Sequence, residues 1–384
     1  MIRKNRFHII IDRDSSTPTY QQLFDQIVGR IESDEFHVGE FLPTENEICE
    51  LSGLSRMTVR KAIDRLHQIG LVKAVRGRGT FIVSKKPATD AKISIGFVLR
   101  PHRYIEEDPF YSQVLLGVTQ EAQKQGIHLA FISSEQGEHE EKSLAHHLSM
   151  NPLAGLLIAG QMPQGYLTYI QQLHVPCVFL NFQSNLYPFD SISADQQEIG
   201  RLLAHHLVDH GHQRCLYLSG EAGNIAYEER LKGFQEIFLS DSNRQVFVFK
   251  GGKHSESGRM MIQTALKKRL TFTSVAAGND MIAIGAMNEL QDRGFQVPED
   301  VSVCGIDNVP FSENSRPSLT TVHIEKYQMG VKALQILLDR IQNPKNVQQT
   351  ILLGVNLCVR QSTGRAPCNL GENNRRESEG KRTE

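Results

Sequence analysis

PTENEICELSGLSRMTVRKAIDRLHQIGLVKAVRGRGTFI, residues 43–82, carries start and stop signals for two helices and a hairpin in forty positions. Thr44 is placed to cap a helix, with Glu47 three residues on as its reciprocal partner, and Ile48 and Leu51 are expected to face inward before Gly53 ends it. Ser55 caps the next helix. That helix, Arg56 to Ile69, should bury Val59, Ile63, Leu66 and Ile69 and stop at Gly70, with Arg56, Arg60, Lys61 and Arg65 on or near its other faces. Leu71–Val75 and Thr80–Val83 then read as strands around Arg76-Gly77-Arg78-Gly79. Upstream, after Pro18-Thr19-Tyr20, Leu23, Ile27 and Ile31 with Phe24 and Val28 mark one apolar face at helical spacing, a first helix.

Charge is distributed unevenly. The whole chain of 384 residues has a formal net charge of −1, but between Arg56 and Lys86 nine basic residues face one acidic residue, Asp64, a local charge of +8. Two helices joined at a glycine turn and followed by a basic, glycine-rich hairpin are the layout of a winged helix-turn-helix, whose second helix enters the major groove of double-stranded DNA. A solvated basic face alone does not explain caps, turn and wing falling together. Arginines early in the third helix can reach base edges bidentately. Base readout is expected from Arg56 and Arg60, a thymine-methyl contact from Met57 and a phosphate contact from Thr58. Asn46 and Ser55 stand at the heads of the two helices, and Lys61, Arg76, Gly77, Arg78 and Gly79 are expected against the backbone. Pro-x-Glu, Ser-Arg-x-Thr-x-Arg, Ala-x-x-x-Leu, Gly-Leu and Gly-x-Gly-Thr-Phe follow in order. The stretch resembles the DNA-binding domain of GntR-type bacterial regulators.

From about Ala91 the pattern changes to short apolar runs alternating with amphipathic segments. Ile93–Leu99, Ala130–Ile132, Ala154–Ile158, Pro176–Asn181, Cys215–Leu218, Gln245–Phe249, Ser274–Ala277 and Val301–Cys304 read as strands of parallel sheets covered by helices. The length is about two such lobes, and open sheets of this kind bind ligands beyond the carboxyl ends of their strands. Polar and aromatic residues collect there: Asp108-Pro109-Phe110-Tyr111, Asn181, Asn279-Asp280 and Asp307-Asn308. Strand-end turns and helix caps explain many such residues in α/β folds, and Asp280 is itself a candidate cap. Phe110 and Tyr111 also fit as core aromatics.

GNDMIAIGAMNELQDRGFQVPEDVSVCGIDN (278–308), SLTTVHIEKYQMGVKAL (318–334), ISADQQEIGRLLAHHLVDHGH (192–212) and YEERLKGF (227–234) are similar to the effector-binding domain of LacI/GalR-type regulators. The expected fold is therefore an α/β two-lobed periplasmic-binding-protein-like (type I) domain preceded by an N-terminal winged helix-turn-helix domain. The expected boundaries are 1–83 for the DNA-binding head, 84–90 for a polar linker, 91–363 for the effector-binding domain and 364–384 for a disordered tail. The resemblance implies a transcriptional repressor released from a pseudo-palindromic operator by a small sugar, with L-arabinose or a related sugar favoured, and acting as a homodimer. It places Arg230, Asn279 and Asp307 against the ligand from one lobe, and Asn181, Phe110 and Tyr111 from the other. Arginine and aspartate suit a sugar because each can hydrogen-bond a vicinal pair of hydroxyls. Two departures stand out: Ile324-Glu325 replaces the family's usual Gln-Pro, and Ser84–Asp90 is too short and polar for the hinge helix those regulators carry.

Other functions are weighed on the same residues. GntR-like heads also occur on aminotransferase-like enzymes, but no nucleophile elbow, Walker loop or dinucleotide fingerprint follows Asp90, so no catalysis and no cofactor are expected. A corepressor-dependent regulator sensing a non-sugar metabolite remains the other alternative. His206 and His210 with His212 nearby have zinc-like spacing, yet no Glu sits in an H-E-x-x-H frame and Gly211-His212 reads as a stop before a strand, so no metal site is expected. The six cysteines are scattered and should be reduced thiols. No run is long and apolar enough for a membrane span or a signal segment, which points to the cytoplasm and away from membranes.

Overall fold

The computed structural model describes residues 9–13, 15, 17–75, 78–85, 93–99, 109–133, 153–182 and 189–367. Arg76 and Gly77 of the wing, Asp108, residues 86–90 of the linker and residues 368–384 of the tail lie outside the described residues. The chain divides into two compact units: residues 1–95 with 123–128 and 149–154, and residues 96–122, 129–148 and 155–384.

In the first unit, α1 (Thr19–Glu32), α2 (Glu45–Ser52) and α3 (Arg56–Gln68) precede the hairpin β1 (Val72–Val75) and β2 (Gly79–Ile82). The caps are those the sequence announces. Thr44 and Glu47 complete the capping box, Gly53 takes the left-handed conformation at φ 65°, and Ser55 accepts from the Thr58 amide. Leu23, Ile27, Ile31, Ile48, Val59, Ile63 and Leu66 close one core between the three helices. Leu51 does not join it. It lies 42% exposed, because this two-turn helix presents Ile48 and Cys49 to the core and turns residue 51 toward solvent. The hairpin is antiparallel, Val72 opposite Ile82 and Val75 opposite Gly79, and Phe81 packs edge-on to Phe41 at 5.2 Å.

The second unit is built on two six-stranded sheets. The first contains β3 (Ser94–Leu99), β4 (His128–Ser133), β5 (Gly155–Ala159), β6 (Cys177–Leu180), β7 (Asp190–Ala194) and β13 (Thr350–Leu353), in the order β13-β7-β6-β5-β3-β4. The second contains β8 (Arg214–Ser219), β9 (Gln245–Lys250), β10 (Ser274–Ala277), β11 (Ser302–Asp307), β12 (Thr320–Ile324) and β14 (Val355–Cys358), in the order β14-β12-β11-β10-β8-β9. Around them run α4 (Pro109–Lys124), α5 (Gln164–Leu173), α6 (Gln196–Asp209), α7 (Ile225–Phe238), α8 (Ser255–Lys267), α9 (Asp280–Asp292), the short α10 (Pro310–Asn314) and α11 (Lys326–Gln342). Strands β5, β6, β10 and β11 are buried at every residue, as parallel strands covered on both faces must be. β12 and β14 pair antiparallel.

The chain first passes from one sheet to the other at the end of β7, and it returns for β13 before closing on β14. At the first crossing α6 leaves the first sheet and packs on α7, beside the second. The approach is set by glycine: a Cβ on Gly200 would stand 2.0 Å from the Arg230 carbonyl oxygen, and one on Gly233 would stand 2.0 Å from that of Gln197. Asp190 in β7 is buried and takes two bonds from Arg340, at 2.7 and 2.9 Å, and a third from the Gln349 amide at 2.7 Å, which fastens α11 and β13 to the first sheet.

Candidate functional site

Turns beyond strands of both sheets line one cavity of about 410 Å³. Phe110 and Tyr111 enter it from the first turn of α4, Gln161 from beyond β5, Asn181 from beyond β6, Asn279 from beyond β10 and Asp307 from the end of β11. All six residues expected against a ligand, Phe110, Tyr111, Asn181, Arg230, Asn279 and Asp307, line it.

Arg230 is its centre. The side chain is 4% exposed. Its Nε donates to Gln196 Oε1 at 2.7 Å, its Nη1 to the Gly278 carbonyl at 2.6 Å, and its Nη2 lies 3.6 Å from Asp307 Oδ1. The guanidinium also sits 5.6 Å from the Tyr227 ring centre. Gln196, the first residue of α6, turns its Nε2 to Asn181 Oδ1 at 3.0 Å and to the Ala194 carbonyl at 3.2 Å. One glutamine thus joins the strand-end asparagine of the first sheet to the arginine over the second.

Gln161 forms a second bridge, donating to the Gly223 carbonyl at 3.1 Å and accepting from the Ile225 amide at 3.0 Å. Pattern reading singled out neither glutamine, nor Tyr227. The available signal was position: Gln161 follows β5 as Asn181 follows β6, and Gln196 begins the helix after β7.

Asp307 has a backbone φ of 108°, a conformation that L-residues rarely adopt, and Asn308 follows at 53°. Lys326, buried beneath them, donates to the carbonyls of Asp307 and of Asn308 and Ile324, the last at 3.1 Å. Burial lowers the affinity of Lys326 for its proton, while Asp307 and Asp280 oppose that shift. Asp280 takes the Val309 amide at 2.9 Å and the Thr321 hydroxyl at 2.5 Å, and its burial, with Asp307 nearby, pushes its carboxyl up to about 8. These groups hold the turn that carries Asp307.

The cap of α9 is Asn279, not Asp280. Asn279 Oδ1 accepts from the Ile282 amide at 2.8 Å, and Nδ2 donates to Tyr227 Oη at 3.0 Å and to the Lys253 carbonyl at 2.9 Å. Its amide hydrogens are both engaged, so it shapes the wall and orients Tyr227. Phe110 and Tyr111 meet edge to face at 5.0 Å and give the lining an aromatic corner.

The histidines have internal partners. His206 Nε2 is 2.9 Å from Thr363 Oγ1, His210 Nδ1 is 2.7 Å from the His206 carbonyl, and His212 lies 2.9 Å from Thr273 Oγ1 and 3.1 Å from Ser302 Oγ. Among the described residues no group of three or more metal-ligating side chains converges.

In the first unit, Arg56 opens α3 and is exposed, and Met57 is 76% exposed beside it. Asn46 is exposed in the first turn of α2, and Arg78 and Gly79 are exposed where the wing turns, Gly79 at φ 109°. Ser55 and Thr58 share a hydroxyl bond of 2.8 Å. Lys61 lies over the Tyr20 ring at 4.2 Å, and Arg60 is paired with Glu45 of α2.

Residues 19–82 match the model for bacterial regulatory proteins of the gntR family, and residues 204–363 match the periplasmic binding protein-like domain. The chain is 29% identical over 373 residues to the arabinose metabolism transcriptional repressor of Geobacillus stearothermophilus, covering 91% of this chain and 99% of that one. A lac repressor dimer bound to operator and the anti-inducer ONPF superposes with a TM-score of 0.64 at 25% identity, over 71% of this chain and 94% of that one. A LacI family transcriptional regulator from Enterococcus faecalis V583 with bound ribose gives 0.63 at 25% identity, over 71% and 98%. Among the described residues no helix is long and apolar enough to cross a membrane.

Proposed function

Because the chain joins a gntR-family regulatory domain to a periplasmic binding protein-like domain, we propose that it is a transcriptional repressor that binds operator DNA through α2, α3 and the wing and is released by a small sugar, with L-arabinose or a related sugar as the effector. The observation that carries the reading is the hydrogen-bonded set Asn181–Gln196–Arg230 on the wall of the cavity, with Asp307 beside Arg230. A sugar presents vicinal hydroxyls to such a set and its C–H face to Phe110 and Tyr111. The name of the Geobacillus relative and the ribose in the Enterococcus regulator support a sugar.

The protein acts as a homodimer in this reading. One winged head offers a small interface, and two heads on a two-fold axis double the base and phosphate contacts at the half-sites of a palindrome. In this reading residues 1–83 are the head, 84–90 the linker, 91–363 the effector-binding domain and 364–384 the tail expected to be disordered, although the Gly364 amide donates to Ser302 Oγ at 3.0 Å and the Ala366 amide to the His210 carbonyl at 2.9 Å.

A mobility-shift titration on DNA upstream of the protein's own gene, at fixed salt, with a panel of pentoses, hexoses and their phosphates, tests the proposal. Specific binding weakened by one sugar is expected, and Arg230→Ala should abolish that response while leaving DNA binding intact. Arg56→Ala should cost about 1–3 kcal/mol and relax one base position. A sugar that tightens binding would reverse the regulatory sign, and DNA binding indifferent to every sugar would overturn the effector assignment.

A further inference from the structure

Arg60 stands one turn after Arg56 on α3, and its guanidinium is not loose in solvent. Glu45, the first residue of α2, takes it from the side: Oε1 lies 3.4 Å from Nε and Oε2 lies 3.0 Å from Nη2. Both side chains remain reachable, 60% exposed for Arg60 and 35% for Glu45. A guanidinium carries five N–H groups in one plane. Glu45 occupies the edge formed by Nε and Nη2, and no hydrogen bond to Nη1 is found among the described residues, so the Nη1/Nη2 edge is left open on a side chain that is 60% exposed. That free edge is the fork that fits O6 and N7 of a guanine.

The helix does not require Glu45 for its start. Thr44 and Glu47 already close the capping box, through Thr44 Oγ1 to the Glu47 amide and Glu47 Oε2 to the Thr44 amide. An exposed pair of this kind also contributes little to the stability of a fold. What it does is remove rotamer freedom from a long side chain, and place a negative charge beside it. The charge is unfavourable near phosphates and is tolerated where the arginine meets a base edge.

We propose that Glu45 is a positioning residue that sets the base specificity of Arg60, aiming its Nη1/Nη2 edge at a guanine of the half-site and keeping it off the phosphates. The inference rests on the DNA-binding reading of the head. It makes Arg60 a discriminating contact whose selectivity depends on a residue that need not touch DNA.

The test uses the full chain and a duplex enriched by the wild-type protein from a randomised pool, with each guanine of its half-site replaced in turn, and a random duplex as the non-specific reference. Binding at fixed salt is compared for wild type, Glu45→Gln, Glu45→Asp, Arg60→Ala and the Glu45→Gln/Arg60→Ala double variant. Glu45→Gln should lower the ratio of specific to random binding by about tenfold, the scale of weakening one bidentate base contact. The loss should fall on the same base pair at which Arg60→Ala loses discrimination, and Glu45→Asp should recover part of it. In the Arg60→Ala background, Glu45→Gln should change all duplexes alike. Equal effects of Glu45→Gln with and without Arg60, or an equal change on every duplex in the presence of Arg60, would overturn the assignment and leave Glu45 a general charge. Enrichment of no duplex by the wild-type chain would overturn the DNA-binding reading and the assignment with it.

Discussion

Alanine at Gly200 should disable the cavity without touching it. The new Cβ would stand 2.0 Å from the Arg230 carbonyl oxygen and 2.6 Å from the Phe234 nitrogen, where ordinary contact begins at 3.4 Å. To restore that contact from 2.0 Å, α7 must retreat by about 1.4 Å at its closest point. The obstruction is backbone, so no rotamer change relieves it. Alanine is the better helix former by about 1 kcal/mol, but overpacking a close helix contact costs about 1–3 kcal/mol or more. The clash should prevail, with a net loss near 2 kcal/mol and a fall of about 4–8 °C in melting temperature for a unit of this size. The same displacement stretches the Arg230 Nε–Gln196 Oε1 bond, now 2.7 Å, beyond hydrogen-bonding range. If the cavity takes the effector as proposed, the response to effector should therefore weaken tenfold or more, since binding groups tolerate only about 0.5 Å of misplacement. Gly29 in α1 is the control. Nothing lies within 4 Å of its Cβ position, so Gly29→Ala should stabilise the head by up to about 1 kcal/mol. Thermal unfolding and an effector titration of Gly200→Ala decide the matter: a wild-type melting temperature with a wild-type effector midpoint would refute the role given to the contact between α6 and α7.

Stability should peak near pH 6.5. Burial pushes His206 and His212 down to about 4, so the unfolded chain takes up their protons below about 6.5 while the native chain does not, and stability falls as pH drops toward 4. Asp280, pushed up to about 8, runs the other way: its contribution is complete below the ordinary 3.8 and is lost as pH rises toward 8. Between pH 4 and 6.5 these two histidines oppose Asp280, which gives from the three groups a slope of about 1.4 kcal/mol per pH unit, and His323, also lowered by burial, adds in the sense of the histidines. Above 6.5 the aspartate alone remains and the slope reverses. Urea midpoints at pH 5, 6.5 and 8 should show that maximum, and a rise continuing through pH 8 would refute a protonated Asp280. Tyr217 is fully buried and its hydroxyl has no hydrogen-bond partner among the described residues. Tyr217→Phe removes an unsatisfied polar group at little cost in volume and should raise stability by about 1 kcal/mol, whereas a loss of that size in thermal unfolding would mean the hydroxyl is satisfied.

The head was legible because its signals are local. Thr44, Glu47, Gly53 and Ser55 each act on residues within a few positions, and each adopts the conformation its type demands. Strands such as Gly155–Ala159 and Ser302–Asp307 were legible because burial on both faces leaves a nearly unbroken apolar or small-residue run. β7, β12, β13 and β14 were not. The β7 residues Asp190-Ser191-Ile192-Ser193-Ala194 are buried, but their polar atoms have distant partners such as Arg340, which no local pattern discloses. Thr320 and Thr321 in β12 likewise bond to Thr363 and Asp280, about forty positions away.

The cavity divides along the same line, and the division has a chemical form. Residues named from the sequence are those that end strands or carry a strong donor: Asn181, Asp307, Arg230. Gln196, which the pattern did not single out, is an acceptor that aims a donor, and Glu45, visible only as part of the Pro-x-Glu signature, is another. Gln196 receives Arg230 Nε only because α6 crosses from one sheet to the other, and Glu45 receives Arg60 only because α2 and α3 meet across the Gly53 turn. An arginine's reach is a property of its own side chain and is written at one position. Its direction is a property of the pair, written at two positions that the fold alone brings together, as at 196 and 230 or 45 and 60. On the proposed function, specificity in both domains depends on direction, since a guanidinium free to rotate would meet a phosphate or a water as readily as a guanine edge or a vicinal diol. The residues that decide what this protein recognises are therefore to be sought one contact behind its arginines.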